Sequence, residues 1–570
     1  MSRAPRPIRR RAAPKAAPQL PGLHPVLQRI YASRGIRDPQ ELNYGLAGLE
    51  PVGLLEGIDD AVELLLAHRE KKILVIGDFD ADGATSTALV LRCLREFGFH
   101  SVDYLVPNRF DFGYGLTPEI VEVAAASKPD LLITVDNGVS SLAGVALANK
   151  LGMQVIVTDH HLPGAELPQA AALVNPNLKD SSFPSKNLAG VGVAFYLMAA
   201  LGRVLQDAGM EGAARVPARY LDLVALGTVA DVVKLDLNNR ILVTQGLQRI
   251  RSAQCVAGIR ALLEVAGKSL PRVSSSDLGF IAGPRLNAAG RLEDMSLGIE
   301  CLLTDDSAVA QQLASRLNEI NSERREIEAK MREEAFAYID SMASRDWPAC
   351  VCVYEKSWHQ GVVGLIASKV KERCHRPVIA FAEDQPGMLK GSARSVQGVH
   401  IRDLLERVAT EHPGLVPKFG GHAMAAGLSL ATKDYERFSA AVSAALEVLY
   451  PNADFSGALL SDGPLSAADL SLDFAQQLRQ SGPWGAGFPE PLFSGDFVIV
   501  EQRVVGERHL KLRVKSTQGD VVLDAIAFNQ AEESAVYRGY VQLAYKLDVN
   551  EYRGRESAQL IVEQIASVAC

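Results

Sequence analysis

Cysteine is scarce and unpatterned in this sequence: the seven residues, at positions 93, 255, 301, 350, 352, 374 and 570, include no C-x-x-C pair. That spacing excludes a zinc ribbon and the odd number excludes a complete disulfide framework, so a reducing, cytoplasmic setting is expected. No apolar run approaches the ~18 residues needed to cross a bilayer, and no membrane attachment is expected. Positive charge is also short. With 59 Lys and Arg against 67 Asp and Glu the formal net charge is -8, so the chain does not coat polyanions indiscriminately and any nucleic-acid site must be a local patch. Phosphate-cradling loops are missing as well. There is no G-x-x-x-x-G-K-[ST] segment, and "GVGVAF" lacks the third glycine of a G-x-G-x-x-G loop, which argues against nucleotide-fuelled unwinding. The opening stretch "MSRAPRPIRRRAAPKAAPQLPG" contains no acidic residue and no apolar signal segment. It predicts a basic disordered tail over residues 1–40, with a secondary contact to nucleic acid as one reading.

What is present is an ordinary globular composition, 48% hydrophobic and 22% charged over 570 residues, which predicts three or four domains. From about residue 71 to 235, runs such as "ILVIGD", "LLITVD", "QVIVTD" and "AALVNP" alternate with Ala- and Leu-rich helical stretches. This is the pattern of an α/β domain on a mostly parallel sheet, expected over 41–304, with its site beyond the carboxyl ends of the strands. Residues 305–346 read as one long helix: 305 to about 345 hold no Gly or Pro, and Leu313, Leu317, Ile320, Ile327 and Met331 form a narrow apolar seam suited to an interdomain strut. A second, smaller α/β domain is expected over 347–452. Beyond the Gly- and Pro-rich "GPWGAGFPEPLF", five strand-like segments predict a small antiparallel barrel within 453–570.

The stretch "GDFDADGATST" sets Asp78, Asp80 and Asp82 at alternate positions. Two like charges ~4 Å apart repel by about 4 kcal/mol at an effective dielectric near 20, so a cation among them is the natural reason for the pattern. Other strand ends supply further ligands: Asp136 after "LLITV", and Asp159, His160 and His161 after "VIVT", while Asp231 breaks the apolar "LVALGTVADVV". Asp159 reads equally well as a capping or supporting group. Carboxylates with imidazole and no thiolate form a mixed oxygen and nitrogen set, which favours Mn²⁺ with Mg²⁺ as a substitute. Asp136 is placed between two divalent ions, with Asp80 reaching one, and Asp82, His160 and Asp231 the other. Such a pair suits in-line attack on a phosphoryl centre.

The ordered series "DFDADG", "VDNG", "TDHH" and "ALGTVADVV" resembles the four motifs of the DHH phosphoesterase superfamily. With "PNRFDFGYGL", "GPRLNAAGR", "LNEINSERREIE", "WHQGVVGLIASK", "KGSARS" and "FGGHAMAAG", the likeness runs over roughly residues 45 to 565 and is to the superfamily's bacterial 5′ exonucleases specific for single strands. The resemblance implies a DHH domain, a DHH-associated domain and a C-terminal OB-fold. It implies metal roles for Asp80, Asp82, Asp136, His160 and Asp231, with Asp136 and His161 catalytic and His161 near the scissile phosphate. Asp78 belongs to the motif but is placed at or beyond the edge of the ligand set. Smaller members carry a His where this chain has Ile76, which leaves the first metal site poorer in ligands.

Donors for phosphate are offered by Arg109, Arg285, Arg291, Lys390, Ser392, Arg394 and His422, the last implied by the resemblance to face the metals across the interdomain cleft. On "RHLKLRVK", His509, Lys511, Arg513 and Lys515 share one strand face; with Tyr552, Arg553 and Arg555 they fit a groove that tracks a phosphate chain and stacks bases. The reading that follows is a metal-dependent 5′-to-3′ exonuclease degrading single-stranded DNA to 5′-mononucleotides in recombination and repair. It would be a monomer, helped by a helicase and a single-strand-binding protein. Two rivals stand beside it: a short-oligonucleotide or cyclic-dinucleotide phosphodiesterase, against which the barrel speaks, and a non-catalytic replication scaffold, against which the retained acids speak.

Overall fold

The computed structural model describes residues 5–12, 20–108, 112, 115–342, 347–531 and 537–567. Contrary to the expected loose tail, the described part of residues 1–40 is folded. Strand β1 (Ile8–Arg10) pairs in parallel with β12 (Leu459–Ser461), and the helix Pro25–Ser33 buries Val26, Leu27, Ile30 and Tyr31. The cause is long-range. Arg34 forms a bidentate ion pair with Asp462, each side chain only 1% exposed, and also donates to the Pro489 carbonyl. Replacing Asp462 by alanine would strand a buried guanidinium, so thermal or urea melts should show a loss of about 3–5 kcal/mol. Unchanged melting would show that this contact does not anchor the N-terminal segment.

The sheet of the first α/β domain has the order β3-β2-β4-β5-β6, every pair parallel. Its strands are β2 (Ile73–Gly77), β3 (Val102–Leu105), β4 (Leu131–Val135), β5 (Gln154–Thr158) and β6 (Ala172–Val174). Strands β2 and β4 are buried at every position, as unbroken apolar runs require when both faces are covered. The register then positions the site. Gly77 lies opposite Val135, and Val135 opposite Thr158, so the next residue of each strand, Asp78, Asp136 and Asp159, arrives at the same sheet edge.

The long helix runs Ser307–Ser341, 35 residues, capped by Asp306. It begins and ends inside the expected 305–346; of the residues beyond it, 343–346 lie outside the described set. Ala310, Ala314 and Leu317 join the core of the first domain, whereas Met331, Ala335 and Ile339 pack with the second domain. The seam therefore serves two cores in succession, with Leu313 and Ile327 only partly buried beside them. The second domain is a mixed sheet ordered β10-β11-β9-β8-β7, from β7 (Val351–Tyr354), β8 (Val378–Gln385), β9 (Met388–Arg394), β10 (Lys418–Gly421) and β11 (Ala425–Ala431).

Five C-terminal strands close into a barrel ordered β13-β14-β15-β17-β16. They are β13 (Phe493–Val505), β14 (His509–Ser516), β15 (Val522–Ala527), β16 (Gly539–Tyr552) and β17 (Arg555–Ser567). The expectation of a purely antiparallel barrel needs correction, because β15 and β17 pair in parallel. Closing a five-stranded Greek-key barrel brings its third and fifth strands together pointing the same way. The segment before β13 carries the barrel onto the first domain through Trp484 and Phe488, whose rings stack 5.2 Å apart beside Tyr31. The six described cysteines form no disulfide with one another, and no described helix is long and apolar enough to cross a membrane.

Candidate active site

The residues after β2 turn directly into the helix Ala81–Glu96. Asp80 caps it, accepting from the amides of Asp82 and Gly83, and the Ala81 amide is held by Asn287 Oδ1 at 2.8 Å. An added Cβ at Gly83 would lie 2.4 Å from the Asp78 carbonyl oxygen, so glycine is needed for this tight turn. Asp82 points back into the cluster, where Oδ2 and Oδ1 accept from the amides of Gly190 and Val191 at 2.7 and 2.9 Å. Those amides open the helix Gly190–Asp207, whose N-terminal dipole favours the carboxylate. Asp136 sits at φ 64°, a left-handed conformation that Asp tolerates better than most residues and that accumulates at functional sites. Asp231 arrives at the carboxyl end of the helix Leu221–Ala230.

The gathered side chains form three overlapping groups, each with ligand atoms within 4.8 Å of one another: Asp78, Asp80 and Asp136; Asp82, His160 and Asp231; Asp136, His160 and His161. His160 Nε2 lies 3.1 Å from Asp136 Oδ1 and 3.5 Å from Asp231 Oδ2. It is buried, and none of these contacts has the geometry of a hydrogen bond among the described residues. Burial first, and then the repulsion of neighbouring carboxylates, holds Asp136 and Asp231 well above the usual range and pushes Asp82 up to about 7. Burial and the adjacent His161 bring His160 down to about 3, keeping a neutral imidazole available as a ligand. Buried acids that repel one another around a neutral, unsatisfied nitrogen are the donor set of a divalent-cation centre. The residues therefore fit the expected ions.

Asp159 is placed differently from the other acids. It is buried and accepts from the amides of Val139, His160 and His161 and from the His161 ring at 2.7 Å. Burial would raise its pKa, but the His161 hydrogen bond and charge lower it. In return, burial of His161 is outweighed by Asp159, which holds the imidazole up to about 9. Asp159 thus stands behind the site as an orienting carboxylate. The His161 ring also stacks on His422 at 5.3 Å and 26°, which brings the second domain to the metal-ligand cluster.

The predicted phosphate anchors separate into two sets. Ser392 and Arg394 share a face of β9, with Lys390 exposed two residues earlier. A Cβ at Gly364, in the first turn of the helix Val363–Cys374, would meet Arg394 Nη2 at 2.9 Å and Ser392 Oγ at 3.0 Å. Arg285 is a correction: its guanidinium is buried and donates to Asn318 Oδ1 and the Ile281 carbonyl, clamping its helix to the long helix. Arg291 reaches across the domain boundary to the Gly361 carbonyl at 2.9 Å. Arg109 lies outside the described residues.

On the barrel, β14 alternates as expected, with Leu510, Leu512 and Val514 buried. Its outward cations are nonetheless matched by acids: Lys511 with Asp524, Arg513 with Glu501 and Lys515 with Asp520, at 3.1, 3.9 and 2.8 Å. His509 Nδ1 accepts from the Asn529 amide. Tyr552, Arg553 and Arg555 stand apart at the β16–β17 tip, with Arg553 over the Tyr552 ring.

Two contributors escape a reading of the sequence. "GVGVAF" reads there only as an incomplete phosphate loop, yet its first glycine supplies an amide to Asp82 and leaves room for Asp136. Asn287, inside the "GPRLNAAGR" segment, braces the turn carrying Asp80. The only signal available was the density of small residues in both stretches.

Comparison with known proteins follows the same divisions. Residues 72–228 match the DHH family, N-terminal domain; 348–448 match the DHHA1 domain; 461–564 match the RecJ OB domain. The chain is 53% identical over 570 residues to the single-stranded-DNA-specific exonuclease RecJ of Salmonella typhimurium, covering 98% of this chain and 99% of that one. Crystal structures of RecJ from Thermus thermophilus with Mn²⁺ and with Mg²⁺ superpose with TM-scores of 0.79 and 0.74 at 31% and 29% identity. Each alignment covers 96% of this chain, and 76% and 75% of the other.

Proposed function

The chain belongs to the RecJ family of single-stranded-DNA-specific exonucleases, and on that premise we propose that it removes 5′-mononucleotides one at a time in the 5′-to-3′ direction, using two divalent cations. It is a divalent-metal exonuclease of single-stranded DNA. The observation that carries the finer reading is that Asp136 belongs to two ligand groups, one with Asp78 and Asp80 and one with His160 and His161, while His160 belongs in turn to a third with Asp82 and Asp231. When bound, the cations neutralise charge on the phosphate oxygens and ready a water for in-line attack. The presence of an imidazole favours Mn²⁺, with Mg²⁺ as substitute.

The chain's own groups supply the rest. His161, kept protonated by Asp159, offers its Nε2 proton to the 3′-oxygen of the departing nucleotide as the phosphorus–oxygen bond breaks. Cleavage there leaves a 5′-phosphate on the shortened strand, ready for the next turn. Ser392 and Arg394, beside the start of the helix Val363–Cys374, anchor that terminal phosphate, and His422 closes the cleft against His161. Release of mononucleotides from an end suits recombination and repair in the cytoplasm. Acting as a monomer, the protein would depend on a helicase to open duplexes and a single-strand-binding protein to present the strand.

One experiment tests polarity and cofactor together: digestion of a single strand labelled separately at each end, with Mn²⁺, Mg²⁺ or chelator. A labelled mononucleotide should appear first from the 5′ end, fastest with Mn²⁺ and not at all with chelator. Early release of the 3′ label would refute the assigned direction.

A further inference from the structure

Large apolar side chains are rarely left in water without reason when they cluster near a site. Among the described residues, Phe280, Val232 and Tyr552 are 76%, 70% and 65% exposed, three of the four highest values for large apolar side chains. All three lie on segments that adjoin. Val232 follows Asp231 directly and has φ 63°, an outlying conformation for a β-branched residue. Phe280 rides on a single π-helical turn, Leu278–Ala282, a distortion that recurs at functional sites. The two segments touch: a Cβ at Gly279 would lie 3.2 Å from Val229 Cγ1, and one at Gly283 would lie 3.1 Å from Ala230 Cβ.

The same helix connects Phe280 with the cleft. Phe280, Pro284, Asn287 and Arg291 follow one another at spacings of four, three and four residues, which keeps them on one face. Asn287 on that face holds the Ala81 amide, and Arg291 holds the Gly361 carbonyl of the second domain. Both irregular segments are pinned by the loop leading to the barrel, through Leu235 N to the Ala486 carbonyl at 2.8 Å and Ser275 Oγ to the Trp484 carbonyl at 2.7 Å. Just upstream, Arg272 pairs with Glu551, the neighbour of Tyr552 at the β16–β17 tip. Exposed apolar side chains thus stand on segments that contacts link from Asp231 to the barrel tip, and those contacts hold the irregular geometry in place.

Resting on the single-strand exonuclease reading, we propose that Phe280, with Val232 on the adjoining segment, is the platform on which a base of the substrate strand stacks as its phosphate enters the Asp82, His160 and Asp231 group. A purine or pyrimidine face is the occupant that fits, because every base offers a flat apolar face to an aromatic ring and this enzyme must accept all four. Stacking fixes one nucleotide relative to the cations without reading its sequence.

The test uses the whole protein and strands that carry one abasic residue at each of the first few positions. Phe280→Ala should raise KM about tenfold on an ordinary strand, within the range that base–aromatic stacking supplies, with kcat near the wild-type value, and Phe280→Trp should restore it. At the abasic position that removes the stacked base, the wild type should fall to the level of Phe280→Ala, and the variant should lose nothing more. A KM for Phe280→Ala within twofold of wild type overturns the proposal, and so does an equal further loss on every abasic strand. Failure of the wild type to digest the ordinary strand would instead strike the exonuclease reading itself.

Discussion

Replacing Asp136 by alanine is expected to lower strand cleavage by roughly a thousandfold or more, because this carboxylate belongs to two of the three ligand groups and its loss weakens two cation positions at once. The stability of the cation-free protein should move the other way. Asp136 is buried among Asp78, Asp80, Asp82 and Asp231, and its pKa is held well above the usual range. A carboxyl with a raised folded-state pKa binds more protons folded than unfolded, so stability falls as pH rises from the unfolded value towards the folded one. For Asp82 that window runs from about 4 to about 7. Chelated wild-type protein should therefore lose melting temperature across this range, and Asp136→Ala should lose less and melt higher at neutral pH. Adding Mn²⁺ should raise the wild-type melting temperature far more than that of the variant. A variant that kept full Mn²⁺-dependent activity would remove Asp136 from the reaction.

Gly190→Ala is expected to disable the enzyme while leaving it folded. The added methyl would sit 2.6 Å from both Cβ and Oδ1 of Asp136 and 2.8 Å from its Cγ. The backbone cannot retreat freely, since the Gly190 amide donates to Asp82 Oδ2 at 2.7 Å. Either Asp136 rotates away or the hydrogen bond from the Gly190 amide to Asp82 breaks, and each outcome disturbs a candidate ligand. Cation affinity and cleavage should drop about a hundredfold, the upper end for lost supports of metal ligands. The helix itself should not suffer, because alanine is the better helix former by about 1 kcal/mol. Gly192→Ala provides the control: the nearest atoms to its Cβ all belong to Leu188, and the one tight contact, at 2.9 Å, is with Cδ2, the tip of a flexible side chain. Metal-dependent cleavage by both variants and melting in chelator would check this; equal activity of the two would show that the contact with Asp136 is harmless.

The cluster of acids and histidines was legible in the sequence because most of its members follow apolar runs. An unbroken "ILVIG" or "LLITV" can only be a doubly covered strand, and acids immediately after such strands must collect at one sheet edge. The barrel strand "HLKLRVKS" was legible for a similar reason, its period of two matching the observed burial. Other features left no local trace. The N-terminal stretch reads as disordered on composition, yet Arg34 is fixed by Asp462, more than four hundred residues away. Arg285 looks like a phosphate anchor until Asn318, on another helix, is found to accept its donors. The acids that neutralise Lys511 and Lys515 come from the neighbouring strand β15 and from the Asp520 turn, and only pairing brings them together.

The sequence by itself determined the parallel sheet, the long helix, the barrel and the acids and histidines that meet at the strand ends, since each is written in a hydrophobic period or in residue types at fixed spacing. Only the tertiary structure decided which arginines face the cleft, why Gly190 must be glycine, how Asp159 keeps His161 charged, and where Phe280 and Val232 stand. Those outcomes depend on contacts between segments far apart in the chain. Close distances across such contacts follow from packing, which no local pattern encodes.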